Sequence, residues 1–218
     1  MKKFFAIFLL LGALVPINAQ KKVKFGVIVE PKISWLLPES KKASPEGVFW
    51  GFGGGLEIDR YFAKNYAFST GLSLGSQGGK LSYADTIVIT TQDDEVLVPK
   101  GTTIEYNLQY LTIPVGLKLR SNQIGYSTFF ANLGLTGQIN MKSKASSNNT
   151  NGLAGDVMKD EINLFNLGYH FGGGIEYSLG EDTALLAGIM YQNGFVDVTQ
   201  LKPKTPSRVV SLRIGIMF

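Results

Sequence analysis

The 218-residue chain contains no cysteine. Disulfides and thiolate metal sites are therefore excluded, and so is a lipidated N-terminus, which needs a cysteine at the cleavage point. There is one histidine, His170, so a metal site would have to draw on carboxylates scattered along the sequence. Beyond residue 19 no apolar run reaches the ~18 residues of a spanning helix. A membrane-embedded chain of this kind must cross as a closed sheet, because only helices and closed barrels satisfy every backbone group in lipid. Charge of one sign is also lacking: 21 Lys and Arg stand against 17 Asp and Glu. No basic stripe with interleaved aromatics appears, and no nucleic-acid partner is expected.

What is present begins with Met1-Lys2-Lys3, followed by the apolar stretch Phe4–Val15 and then Pro16-Ile-Asn-Ala19. A basic start, a short apolar segment and a small residue before Gln20 form a secretory signal peptide. Residues 1–19 are expected to be cleaved, and residues 20–218 to form one outer-membrane barrel domain.

The last eleven residues set the pattern for that domain. Val210, Leu212, Ile214, Ile216 and Phe218 share one face of a two-residue period, with Ser211, Arg213 and Gly215 on the other. Such a stripe needs no second sheet if lipid covers it, and a tilted strand of about 9 to 11 residues crosses the bilayer core. Seven earlier segments alternate in the same way, beginning near Val23, Phe49, Tyr66, Tyr106, Ser127, Leu164 and Thr183. The links after the first, third, fifth and seventh are long and polar, whereas those after the second, fourth and sixth are short. Thr86–Thr91, inside the second long link, is expected to extend a hairpin beyond the membrane, and Lys142 to about Asn163 reads as loop. The fold class is all-β: an eight-stranded antiparallel up-and-down transmembrane barrel, with short periplasmic turns and long extracellular loops.

The face opposite the apolar one collects glycines and charges. Lys24, Glu30, Lys32, Glu57, Asp59, Lys118, Arg120, His170, Glu176 and Arg213 all fall on it and are expected to form a charge network in the lumen. A cation on the lipid face near the midplane would cost ~2–4 kcal/mol, whereas inside the barrel opposite charges can pair. Aromatics gather near strand ends. Tyr61, Phe62, Tyr66, Tyr126, Tyr177 and Phe218 lie toward the short turns, and Trp35, Trp50, Tyr106, Tyr191 and Phe195 toward the long links, as two interfacial girdles.

The signal ending Ala19-Gln20, the eight alternating segments, the strand Tyr110-Leu-Thr-Ile-Pro-Val-Gly-Leu-Lys118 and the terminal Phe218 together resemble the PorT-like family. These are small outer-membrane β-barrels of Bacteroidetes, grouped with porin-like barrels of the OmpX and OmpA type. The resemblance implies a non-enzymatic barrel, and for PorT itself a tie to type IX protein secretion. It implies contact with outer-membrane lipid and lipopolysaccharide, with the barrel-assembly machinery during insertion, and with secretion-system proteins. No catalytic motif and no cofactor come with it.

Other chemistry finds little support in the residues. Gly51-Phe-Gly-Gly-Gly-Leu56 lies mid-strand and has Leu56 where a dinucleotide fingerprint needs its third glycine. His170 and Glu176 share a face but lie roughly 20 Å apart by strand rise. Asp93-Asp94-Glu95 reads as a solvated loop, with cation binding the sharper alternative, and Asn148-Asn-Thr150 matches a glycosylation sequon. The competing functions are an interaction or structural role through the extracellular loops, an outer-membrane enzyme acting on lipid or lipopolysaccharide, and a narrow channel.

Overall fold

In the computed structural model, residues 23–91, 95–147, 154–157, 162–180, 182–199 and 204–218 are described. The expected signal peptide, Asp93, Asp94 and the sequon match at 148–150 lie outside them. Among the described residues twelve strands form: β1 (Val23–Leu36), β2 (Ala43–Gly47), β3 (Phe49–Ala63), β4 (Tyr66–Tyr83), β5 (Ile87–Thr90), β6 (Glu95–Val98), β7 (Thr103–Arg120), β8 (Ser127–Ser147), β9 (Ala154–Val157), β10 (Phe165–Ser178), β11 (Ala184–Gly194) and β12 (Ser207–Met217). Eight of them close a ring in the order β1, β3, β4, β7, β8, β10, β11, β12 and back to β1, with every neighbour antiparallel. Closure is completed at the seam by a reciprocal pair, Phe25 N–H to Phe218 O at 2.9 Å and Phe218 N–H to Phe25 O at 2.8 Å. β2 adds to β4, β9 adds to β8, and β5 and β6 pair with each other as a separate hairpin.

The two-residue period places side chains as the sequence implies. On β12, Leu212, Ile214, Ile216 and Phe218 are exposed and Val210 is half-buried, while Ser211, Arg213 and Met217 are buried. On β7 the outward row is Leu111, Ile113, Val115, Leu117 and Leu119, and the partner rows are Tyr66–Leu74 on β4 and Ala131–Ile139 on β8. Nine residues at ~3.3 Å each, tilted by ~40°, rise about 23 Å, close to the ~25 Å apolar band of an outer-membrane barrel.

The taller strands continue well past that band. Above Leu74–Leu111–Ile139 the outward rows become Ser76–Gln109–Lys142, Gly78–Asn107–Lys144 and Lys80–Glu105–Ser146. The expected loop from Lys142 is therefore corrected: β8 runs unbroken to Ser147, because its upper half still has β7 on one side and β9 on the other. Similarly, β1 extends to Leu36 and β4 to Tyr83.

Within this raised section the apolar side faces inward. Leu36, Leu81, Tyr83, Ile104, Tyr106, Leu108, Tyr110 and Ala145 form a buried cluster with Ile89 and Val98 of the hairpin and Val198 of the last link. Tyr106 is 0% exposed, so it belongs to this core and not to a lipid-facing girdle.

The position of the band yields an expected outcome. Val115→Arg, at the middle of the lipid-facing row, lowers stability by about 2–4 kcal/mol, whereas Gln109→Arg, above the band, costs about 0–1 kcal/mol. Urea unfolding of the barrel in lipid vesicles measures both; equal costs would place the band elsewhere.

Candidate functional site

Inward-facing side chains divide the bore into layers. At the short-turn end Phe130, Ala184, Leu186 and Met217 make an apolar floor. An ionic layer rests on it. Lys118 Nζ lies 2.8 Å from Glu57 Oε1, 2.6 Å from Asp59 Oδ2 and 2.8 Å from Glu176 Oε1. From Glu176 the chain of charge continues to Arg120 at 2.7 Å. In the other direction it runs from Glu57 to Arg213 Nη2 at 2.6 Å, from Arg213 Nε to Glu30 at 3.0 Å and from Glu30 to Lys32 at 3.0 Å. Four acids and four bases thus form one connected, electrically neutral network, in which Lys118, Asp59 and Glu176 have fully buried side chains. The Lys118 ammonium also sits 4.8 Å above the Phe130 ring.

Of the ten inward residues singled out in the sequence, eight are in this network. Lys24 lies on the same face opposite Asp59 in the register and makes no ion pair among the described residues. His170 stands apart in an uncharged layer: its Nδ1 is 2.7 Å from Thr136 Oγ1 and its Nε2 3.2 Å from Asn132 Oδ1. One turn of register higher, Gln138 bonds Gln77 and Thr112, at 3.3 Å each. Above these the apolar cluster under the long links forms a ceiling.

Glycine makes the ionic layer possible. Gly116 and Gly134 are direct register partners beside Lys118, and a Cβ on either would strike the other strand's backbone. A methyl group on Gly53 or Gly75 would come within 3.1 Å of Lys32 Nζ. The Lys32 side chain crosses the bore over the bare backbone of Gly53 and Gly75.

The sequence reading missed several participants. Tyr61, expected in the girdle, is on the inner face with its ring 5.4 Å from the Arg120 guanidinium, since it continues the inward series Glu57, Asp59, Tyr61. Phe130 and Met217 were legible as inward only by strict alternation, because both are apolar on a face read as polar. On the outside, Tyr169, Phe171, Tyr191 and Phe195 form a contiguous ring cluster with centroids 5.2–6.5 Å apart.

A cavity of about 60 Å³ remains between the ionic and neutral layers, lined by Glu30, Lys32, Ser69, Thr112, His170 and Arg213 among others. No group of three or more His, Cys, Asp or Glu suited to a metal occurs among the described residues. No described helix could cross a membrane, which leaves strand crossing unaffected.

Residues 17–200 match the family described as outer membrane protein beta-barrel domain. No curated protein matches the sequence. Solved structures with a similar fold include Neisserial surface protein A, at 13% identity over 88% of this chain and 95% of that one, with a TM-score of 0.49. Another is Ail, the attachment invasion locus protein of Yersinia pestis, solved with the heparin analogue sucrose octasulfate, at 14% identity, 90% and 99% coverage and a TM-score of 0.45. A major outer membrane protein from Thermus thermophilus gives 12% identity, 90% and 98% coverage and a TM-score of 0.49. At such identities the likeness says nothing about ligand or partner.

The network gives a measurable expectation. Lys118→Met leaves the carboxylates of Glu57, Asp59 and Glu176 without their shared cation, and breaking a buried pair in this way costs about 3–5 kcal/mol. Lys142→Met, on the outer wall, stays within about 0.5 kcal/mol of wild type. Unfolding midpoints in vesicles compare the two; a loss near zero for Lys118→Met would show that the layer contributes nothing to stability.

Proposed function

Since the chain belongs to the outer membrane protein beta-barrel domain family and is an outer-membrane β-barrel, we propose that it is a non-enzymatic component that works through its long-loop end. The observation carrying this reading is the double closure of the bore, apolar at both ends and ionic between. A shut bore leaves the surfaces outside it to do the work. One of them is the raised section of β2, β4, β7, β8 and β9 with the β5–β6 hairpin, whose Val88 and Leu97 are exposed across from one another. An enzyme acting on lipid would need its acid–base group at a rim, whereas His170 sits mid-bore, engaged by Thr136 and Asn132.

The long-loop end faces the exterior in this reading, and the closing strand Val210–Phe218 is the segment the assembly machinery handles during insertion. Outer-leaflet lipopolysaccharide surrounds the barrel. The link to type IX secretion rests on the resemblance carried by Tyr110–Lys118 and on nothing else. Comparing exported proteins in the medium of a deletion strain with wild type tests that link, and an unchanged set removes it.

The interaction role itself is tested at the hairpin. A photo-crosslinking residue in place of Leu97, which is 64% exposed, gives protein adducts in intact cells, whereas the same residue in place of Leu72 in the lipid band gives none. Absence of adducts at both positions, or steady conductance steps from the purified barrel in planar bilayers, overturns the proposal.

A further inference from the structure

One group of cations takes no part in holding the barrel together. On the outer wall of β4, β7 and β8, the row Leu74–Leu111–Ile139 is the last apolar one, and the next two rows end in Lys142 and Lys144. Lys142 is exposed and Lys144 half-exposed, and neither has an acidic partner among the described residues. One row further up, Lys80 is neutralised by Glu105 at 2.9 Å. The patch therefore keeps two uncompensated positive charges, about 7 Å apart along one face of β8.

We propose that this patch binds the phosphate groups of an anionic outer-leaflet lipid, with Lys142 and Lys144 as the cations that hold them. Two observations favour a lipid over a free anion. The lysines begin where the apolar band ends, which is the level at which headgroups start. The apolar rows beneath them lie in line on the same three strands, so one molecule can set acyl chains on Leu74, Leu111 and Ile139 and its phosphate on the lysines. A free phosphate would have only the upper half of that contact. The exposed amide of Gln109, between Ser76 and Lys142, adds a hydrogen-bond donor. On the far side of the barrel Arg208 lies at a strand end near the long links, but its Nε is already bonded to Asn193 Oδ1 at 3.1 Å. The wall with the free lysines is the one that binds. This inference rests on the outer-membrane placement and on the long-loop end facing the exterior, and not on the interaction role, so crosslinking at Leu97 can fail without affecting it.

The test uses the full barrel in mild detergent with bisphosphorylated lipid A as the probe, and bound lipid is read by native mass spectrometry. Wild type retains the lipid. K142Q/K144Q retains it roughly 10- to 30-fold more weakly, each single variant about 5-fold more weakly, and all variants keep the heat-modifiable gel mobility of a closed barrel. Dephosphorylated lipid is held weakly by wild type and variant alike. K41Q/K42Q, which removes the same charge from an exposed loop, retains lipid as wild type does. An equal loss in K41Q/K42Q would make the effect general charge and overturn the site, as would unchanged retention in K142Q/K144Q. Displacement of the lipid by excess inorganic phosphate would overturn the assignment to a membrane lipid.

Discussion

Everything in this fold depends on leaving no backbone N–H or C=O unpaired in hydrocarbon, where each orphan costs several kcal/mol. Eight strands can satisfy that condition only as a ring, and a ring must join its first strand to its last. The reciprocal bonds between Phe25 and Phe218 are where the join ends. Nine register pairs between β1 and β12 make up the rest of it. Once closed, the ring leaves a narrow interior, since an eight-stranded barrel is just wide enough for side chains to fill. The remaining features are responses to the problem of filling that space.

The solution combines bare glycine positions with long charged side chains. Lys118 takes the centre, where three carboxylates reach it from two other strands, Glu57 and Asp59 from β3 and Glu176 from β10. Nearby, Gly116 and Gly134 let β7 and β8 approach so closely that neither position admits a Cβ. Burying charge is costly unless every partner is met, which explains why acids and bases are present in equal number. The apolar floor below and ceiling above keep bulk water from competing for those pairs. Stability and closure of the bore therefore have a common source.

The eight barrel strands and the two faces of each were legible, because within the membrane band the period of two runs without a bulge on most strands; the bulge at Met141, opposite Gln109 and Tyr110, lies above it. The raised section was not, and β7 shows why. Its apolar side chains are inward at Ile104, Tyr106, Leu108 and Tyr110, then outward from Leu111 to Leu119. The phase changes between adjacent residues at the membrane boundary, where the medium outside turns from acyl chains to water. A reading that assumed one phase throughout placed Tyr106 among the interfacial aromatics and took Lys142 as the start of a loop. The signal was present in the sequence as two neighbouring apolar residues, Tyr110 and Leu111, breaking an otherwise strict alternation. Tyr61 was misplaced for a different reason: proximity to a turn was weighed above parity with Glu57 and Asp59. Which acid meets which base was beyond reach, since it depends on strand stagger around the ring.

The strands differ greatly in length around the circumference. β4, β7 and β8 have 18, 18 and 21 residues, whereas β11 and β12 have 11 each. Ladder bonds hold neighbours together in proportion to their overlap, so the barrel has a stiff side and a compliant side. The compliant side contains the join between β1 and β12. Under mechanical load, or when the barrel is prised open from its rim, the staves part first along that short seam while the tall staves opposite stay together.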